Sequence, residues 1–239
     1  MTAPILSTLW NWIDQLLAPS ICPICRQNLA PDGEPCPDCR RNLPALPARR
    51  CRFCGGINDS LLDVCPDCAK LPRRPWFRGV SAFPYEGSLR LAIHNYKFRG
   101  KTCLAPLLSR AMAESWRQHH DLSRPDLVTA IPLHWMRALQ RGYNQSEIIA
   151  RMLAAELKLP FRQILRRTRS TGQQARLSRK QRLQNLQGAF QVKDRVNCQG
   201  HSVLLVDDVF TTGSTLAAAT QALLDGGVRE VSVITIARD

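Results

Sequence analysis

Four Cys-x-x-Cys pairs lie between Cys22 and Cys68, and they dictate how that part of the chain must be held together. They account for eight of the ten cysteines: Cys22/Cys25, Cys36/Cys39, Cys51/Cys54 and Cys65/Cys68. Ten residues separate the first two pairs and ten the last two, so the unit repeats with a period of 29 residues. The segment is dense in Pro and Gly and lacks apolar periodicity. Side chains alone cannot give it a core, so cross-links must. Thiolates bind zinc tetrahedrally, and two such pairs supply four ligands from two tight turns. The spacing predicts two structural Zn²⁺ sites, Cys22, Cys25, Cys36, Cys39 and Cys51, Cys54, Cys65, Cys68. Four thiolates leave no open position on the ion. Sharing of an ion by alternate pairs stays open, and so does an iron–sulfur cluster. Disulfides are disfavoured, because no export signal is apparent and the cytosol is reducing. Cys103 and Cys198 stand alone and read as packed or incidental thiols.

The remainder has another character. Residues 1–20 are apolar at helical spacing (Ile5, Leu9, Leu16) and are expected to form a short packed helix, with an interfacial membrane helix as the minority reading. Asp14 and Gln15 interrupt that stretch, no basic n-region precedes it, and no run of about 18 apolar residues occurs anywhere. No integral membrane segment and a cytoplasmic location are expected. Residues 21–70 would form the double zinc ribbon. A linker with two prolines and two arginines spans 71–78, and 79–239 form the second domain. In that domain strand-like segments (Val80–Tyr85, Leu127–Ile131, Ser202–Val206, Val231–Ile236) alternate with helical ones (Leu104–Trp116, Ser146–Leu157, Thr215–Leu224). Such alternation predicts an α/β fold, a mostly parallel sheet with flanking helices. Residues 1–70 balance seven basic against seven acidic residues, so the whole net charge of +14 belongs to residues 71–239. A field of that sign collects anions, whether small polyphosphates or nucleic acid.

One segment names an anion more closely. The apolar run Val203–Val206 leads into Asp207-Asp208, then the loop Thr211-Thr212-Gly213-Ser214-Thr215, then a helix. Ligands of open α/β sheets bind beyond the carboxyl ends of strands. Backbone N–H groups and hydroxyls at a helix N-terminus cradle phosphate. Two carboxylates would repel that phosphate and suit neighbouring sugar hydroxyls instead. A ribose 5-phosphate satisfies both halves. No Walker or dinucleotide fingerprint competes in this segment. After Ala130-Ile131-Pro132, Arg137 and Arg141 should stand at the same sheet edge, where they could meet a pyrophosphate. Residues 161–182 carry eight basic residues and no acidic one, among them Arg176, Arg179 and Lys180. The segment reads as a mobile basic loop, a solvated surface or a nucleic-acid patch.

At Val206–Thr215 the sequence resembles the type I phosphoribosyltransferases, whose motif for phosphoribosyl pyrophosphate (PRPP) has this strand, acidic pair and Thr-rich loop. The resemblance implies a type I phosphoribosyltransferase-like sheet behind a small zinc-ribbon module. It implies that Asp207 and Asp208 hold the ribose hydroxyls and that Thr211, Thr212, Gly213, Ser214 and Thr215 bind the 5′-phosphate. Mg²⁺ would be held by PRPP oxygens, and a flexible loop at residues 161–182 would close over the substrate. The wider layout is similar to the ComF/GntX family: four cysteine pairs, Tyr96-Lys97-Phe98-Arg99-Gly100, Arg141-Gly142-Tyr143-Asn144-Gln145, Thr171-Gly172-Gln173 and the cradle. That family is linked to natural competence and to use of external DNA as a nutrient. Phosphoribosyl transfer to a nitrogen nucleophile is the first expectation. The alternative is a non-catalytic single-stranded DNA module, with Trp76, Phe77, Tyr85, Tyr96 and Phe98 as stacking candidates. A protein partner docked through the zinc module is a third reading. His94, Tyr96 and Lys97 are weak candidates for a general base.

Overall fold

A computed structural model describes residues 21–28, 30, 34–44, 49–70, 74–98, 102–119, 124–133, 143–169, 186, 188–193 and 197–239. The helix expected over 1–20 lies outside the described residues, as do Arg137, Arg141, Arg176, Arg179 and Lys180. Two short helices, α1 (Pro37–Arg41) and α2 (Pro66–Ala69), occupy equivalent places in the cysteine repeat. Both start with proline, whose missing N–H costs nothing in a first turn, and each carries the last cysteine of its set.

The second region is built on four parallel strands in the order β1-β6-β5-β2: β1 (Gly79–Pro84), β6 (Glu230–Arg238), β5 (Ser202–Phe210) and β2 (Leu127–Ala130). Side chains alternate across the sheet, and the core divides accordingly. Val128, Ala130, Leu204, Val206, Ile234 and Ile236 face one way, with Val80 and Ala82 beside them. That face is covered by α3 (Gly87–Phe98), α4 (Ala105–Arg117) and α5 (Gln145–Leu157). Leu127, Val203, Leu205, Val231 and Val233 face the other way, under α6 (Ser214–Asp225). A hairpin of β3 (Leu165–Arg167) and β4 (Phe190–Val192) packs beside α6. Gly226 caps α6, and Gly227 turns away with φ +88°.

Three features differ from the sequence expectation. Strand β5 does not stop at Val206. It stays in register with β6 through Asp207↔Thr235 and Phe210↔Arg238, because β6 itself runs to Arg238. Helix α3 was not anticipated. Residues 161–169, expected to open a mobile loop, instead continue the fold: Phe161 bridges Val128, and the fully buried Ile164 and Leu165 anchor β3. Apolar anchoring outweighs the basic composition there. Residues 170–182 lie outside the described residues.

The second cysteine set covers the outer edge of the sheet. An uncovered edge strand exposes unpaired backbone groups. Here Gly79 N–H donates to Arg52 O at 2.8 Å, and Ser81 Oγ–H donates to Cys54 O at 2.8 Å. Among the described residues no helix is long and apolar enough to cross a membrane.

Candidate sugar-phosphate site and thiolate clusters

Parallel pairing of Ala130 with Val206 brings the carboxyl ends of β2 and β5 to one edge of the sheet. There the acidic pair and the threonine-rich loop meet. Asp207, Val209 and residues 210–216 line a single concavity. Gly213 is the N-cap of α6 with φ +73° and ψ 7°. A left-handed residue turns the chain abruptly, which only glycine does without strain. The first N–H groups of α6 have no partner within the helix and present a positive end. Thr212 Oγ1 and Ser214 Oγ are hydrogen-bonded at 2.9 Å, and Ser214 N–H donates to Thr212 Oγ1 at 3.3 Å. Hydroxyls and backbone donors thus converge on one small bowl, as a phosphate requires.

The carboxylates are differently engaged. Lys97 Nζ lies 2.9 Å from Asp208 Oδ1, and Val209 N–H donates to the same oxygen at 2.6 Å. Asp207 Oδ1 accepts from Ser146 Oγ at 3.1 Å and from Asp208 N–H at 2.9 Å. Burial, and then the charge of Asp208, push the Asp207 carboxyl up from 3.8 to about 7, against the pull of the Asp208 N–H, Lys97 and Ser146. The result is one ion-paired carboxylate beside one carboxyl poised near neutrality.

A latch between α3 and α5 sets this arrangement. Tyr96 O–H donates to Gln145 O at 2.7 Å, Gln145 Nε2 donates to Lys97 O at 2.8 Å, and Tyr143 O–H donates to Tyr96 O at 3.1 Å. Asn144 caps α5 through Ser146 N–H and ties the helix to Ile131 O at 3.0 Å. The latch delivers Lys97 to Asp208 and Ser146 to Asp207. Of the candidate bases, Tyr96 is buried and raised by desolvation, His94 is exposed on α3, and Lys97 is an ion-pair partner. Ser146 escaped sequence reasoning altogether. Its only signal was its place at the head of a helix starting at the ligand edge. Of the proposed stacking aromatics, Trp76 and Tyr96 are buried in the core.

The eight cysteines form two local sets. In each, the four sulfurs lie within 4.8 Å of one another. Cys25 and Cys36 sulfurs are 3.9 Å apart, as are those of Cys54 and Cys65. Zn–S bonds of about 2.3 Å place tetrahedral ligands about 3.8 Å apart, so the donor sets fit such an ion. Cys36 N–H donates to Cys22 Sγ, and Cys65 N–H to Cys51 Sγ, both at 3.3 Å, which repeats one geometry across the 29-residue period. Backbone N–H groups of Asn28 and Gln27 bring Cys25 down to about 6, whereas burial pushes Cys39 up. In the second set a hydrogen bond with Cys54 holds Cys51 down, and the bond to Cys51 raises Cys54 to about 11. Four crowded thiols ionise together only around a cation. Alternate sharing between sets is not the arrangement found.

Comparison with known proteins gives a consistent picture. A family model for the phosphoribosyl transferase domain matches residues 143–239. The chain is 33% identical over 222 residues to DNA utilization protein YhgH of Escherichia coli strain K12, covering 91% of this chain and 90% of that protein. It is 34% identical to competence protein F of Haemophilus influenzae, covering 91% and 96%. Competence protein ComFC of Bacillus subtilis is 26% identical, covering 88% and 86%. Among solved structures, the Bacillus subtilis glutamine PRPP amidotransferase with ADP and GMP overlaps at TM-score 0.37 and 19% identity, covering 69% of this chain and 32% of that one.

Proposed function

The chain belongs to the ComF/GntX family, a family of competence and DNA utilization proteins with a phosphoribosyltransferase domain, and on that premise we propose that it binds Mg²⁺–PRPP and transfers the phosphoribosyl group to a nitrogen nucleophile. One observation carries this reading. Asp207, next to Asp208 in the acidic pair, and the left-handed Gly213 loop share a concavity at the carboxyl edge of a parallel sheet.

In this reading Thr211–Thr215 hold the 5′-phosphate through backbone N–H groups and hydroxyls. Asp207 and Asp208 accept hydrogen bonds from the two ribose hydroxyls. Ser146 keeps Asp207 oriented, and Lys97 balances Asp208 until the sugar arrives. The C1–O bond to pyrophosphate breaks through an oxocarbenium-like transition state, and a C1–N bond forms. The acceptor nitrogen releases its proton to water or to the departing pyrophosphate. Mg²⁺ held by PRPP oxygens would supply charge neutralisation on the departing pyrophosphate. Arg137, Arg141, Arg176, Arg179 and Lys180 are proposed to meet the same group. Two Zn²⁺ in the cysteine sets would be structural.

Calorimetric titration with Mg²⁺–PRPP tests the proposal, on wild type and on Asp207→Ala/Asp208→Ala. Wild type is expected to bind, and the double variant to lose about tenfold or more in affinity, because several hydrogen bonds to charged groups vanish. Equal binding by the variant, or none by wild type, refutes the reading. The localisation of all net charge in residues 71–239 favours a second reading, single-stranded DNA binding. Its affinity would fall steeply with salt through counterion release. A parallel titration with an oligonucleotide in the presence of saturating PRPP shows whether the two ligands share the site.

A further inference from the structure

The back of the phosphate loop is supported by residues from an unexpected quarter. Trp76 lies in the linker that follows the cysteine module and is 2% exposed. Its Nε1–H donates to Phe53 O at 2.8 Å. Phe53 sits inside the Cys51–Cys54 knuckle, between two cysteines of the second set. The Trp76 ring meets Phe210 edge-on, with centroids 5.9 Å apart at 83°. Phe210 is the last residue of β5, immediately before the loop. The Arg74 guanidinium lies 5.2 Å from the Trp76 ring and 5.8 Å from the Phe210 ring. Its Nη2 donates to Thr212 O at 3.0 Å.

Gly213 is wedged against this stack. A Cβ there would come within 2.7 Å of Phe210 Cζ, 3.2 Å of Trp76 Cη2 and 3.3 Å of Arg74 Nη1. The Thr212 carbonyl and the Gly213 N–H belong to one planar trans peptide, so they point in opposite directions. With the carbonyl held behind the loop by Arg74, the N–H must face forward, towards the bowl. A flip of this peptide would present a carbonyl oxygen to the phosphate and repel it. A left-handed glycine offers little resistance to such a flip, so the orientation needs an external clamp. Arg74 lines a separate surface with Gln221, Leu224 and Val231 and does not line the bowl. It acts through the loop rather than on the ligand.

We propose that Arg74 and Trp76 are positioning residues for the sugar-phosphate site, which fix the Thr212–Gly213 peptide with its N–H towards the anion and anchor it to the second cysteine knuckle. The proposal rests on the reading of Thr211–Thr215 as a phosphate cradle. Its consequence is that the second cysteine set supports the ligand site from behind, through Phe53 and Trp76.

The test uses the metal-loaded full chain and three substitutions, Arg74→Met, Arg74→Lys and Trp76→Phe. Affinities for ribose 5-phosphate and for magnesium pyrophosphate are measured calorimetrically. The Gly213 amide is followed by NMR on glycine-labelled protein. Arg74→Met is expected to weaken ribose 5-phosphate binding about tenfold, the worth of one charge-assisted hydrogen bond. It should leave magnesium pyrophosphate affinity and metal content unchanged. Arg74→Lys should recover part of the loss, since an ammonium still donates to the carbonyl. Trp76→Phe keeps the ring stack, loses the bond to Phe53 and should fall between wild type and Arg74→Met. The Gly213 N–H should move strongly downfield with ligand in wild type and little in Arg74→Met. Equal affinity of wild type and Arg74→Met, or a loss shared alike by both ligands without rescue by lysine, overturns the proposal while leaving the cradle standing. Failure of wild type to bind ribose 5-phosphate removes the cradle reading itself, and the clamp with it.

Discussion

At Asp207 the fold holds a carboxyl against its preference for water. Burial and the neighbouring Asp208 raise it to about 7, and the bonds from Ser146 and the Asp208 N–H only partly offset that. A carboxyl raised in the folded state binds its proton more tightly there than in the unfolded chain. Stability is therefore greatest below the ordinary value of 3.8 and is lost as pH climbs through about 7. Asp207→Asn removes this pH-dependent cost. The variant's melting temperature should gain on wild type as pH rises from about 4 to about 7 and hold that gain above, as read by thermal denaturation across that range. A constant difference would mean that Asp207 is not held in a desolvating site. Site residues were unevenly legible from sequence. Asp207, Asp208 and Thr211–Thr215 are contiguous, so strand, acid pair and loop could be read in one pass. Lys97 was noticed only as a weak base, and Ser146 not at all. Their roles depend on α3 and α5 meeting beside β5, and no local pattern records that encounter. Arg74 and Trp76 looked like parts of an exposed linker for the same reason.

At the scale of elements, the strands of the sheet were readable because both faces are buried and their apolar runs are continuous. Val203–Val206 and Val231–Ile236 are buried throughout, the polar Ser232 and Thr235 included. The helix over Gly87–Phe98 was legible in Leu89, Ala92, Ile93 and Tyr96, which recur at helical spacing and are buried, but the segment was considered only as a source of candidate functional side chains. The β3–β4 hairpin was missed because its strands are three residues each and nothing local links them. Docking of the second cysteine set on β1 was equally invisible, yet glycines record it. Gly55 has φ +67°, and a Cβ there would lie 2.2 Å from Ser81 N and 2.5 Å from Val80 C. Gly87 has φ +53° with nothing within 4 Å. Left-handed strain alone costs about 1 kcal/mol for a non-glycine residue. Gly87→Ala should therefore lower the melting temperature by only about 2–4 °C. Gly55→Ala must also push the knuckle off the strand backbone, and should lower it by about 5 °C or more. Similar losses for the two variants would contradict the docking of the knuckle on β1.

Across the whole molecule, two four-cysteine sets and one parallel sheet divide the labour. The cysteine sets replace a core that residues 21–70 cannot build, and the second set covers the exposed edge of the sheet. The sheet brings two strand ends together, and with them an acidic pair and a phosphate bowl. Basic charge outside the cysteine module raises the local concentration of anions around that bowl. The central claim is that the loop at the head of α6 receives the phosphate of a ribose 5-phosphate. Phosphorus NMR of ribose 5-phosphate, titrated with wild type and with Gly213→Val, tests it most directly. Valine at φ +73° would strain the turn and press on Phe210. The account predicts that the ligand's resonance shifts and broadens with wild type and stays at its free position with the variant, both proteins retaining their metal. An unperturbed resonance with wild type, or equal perturbation by the variant, would contradict it.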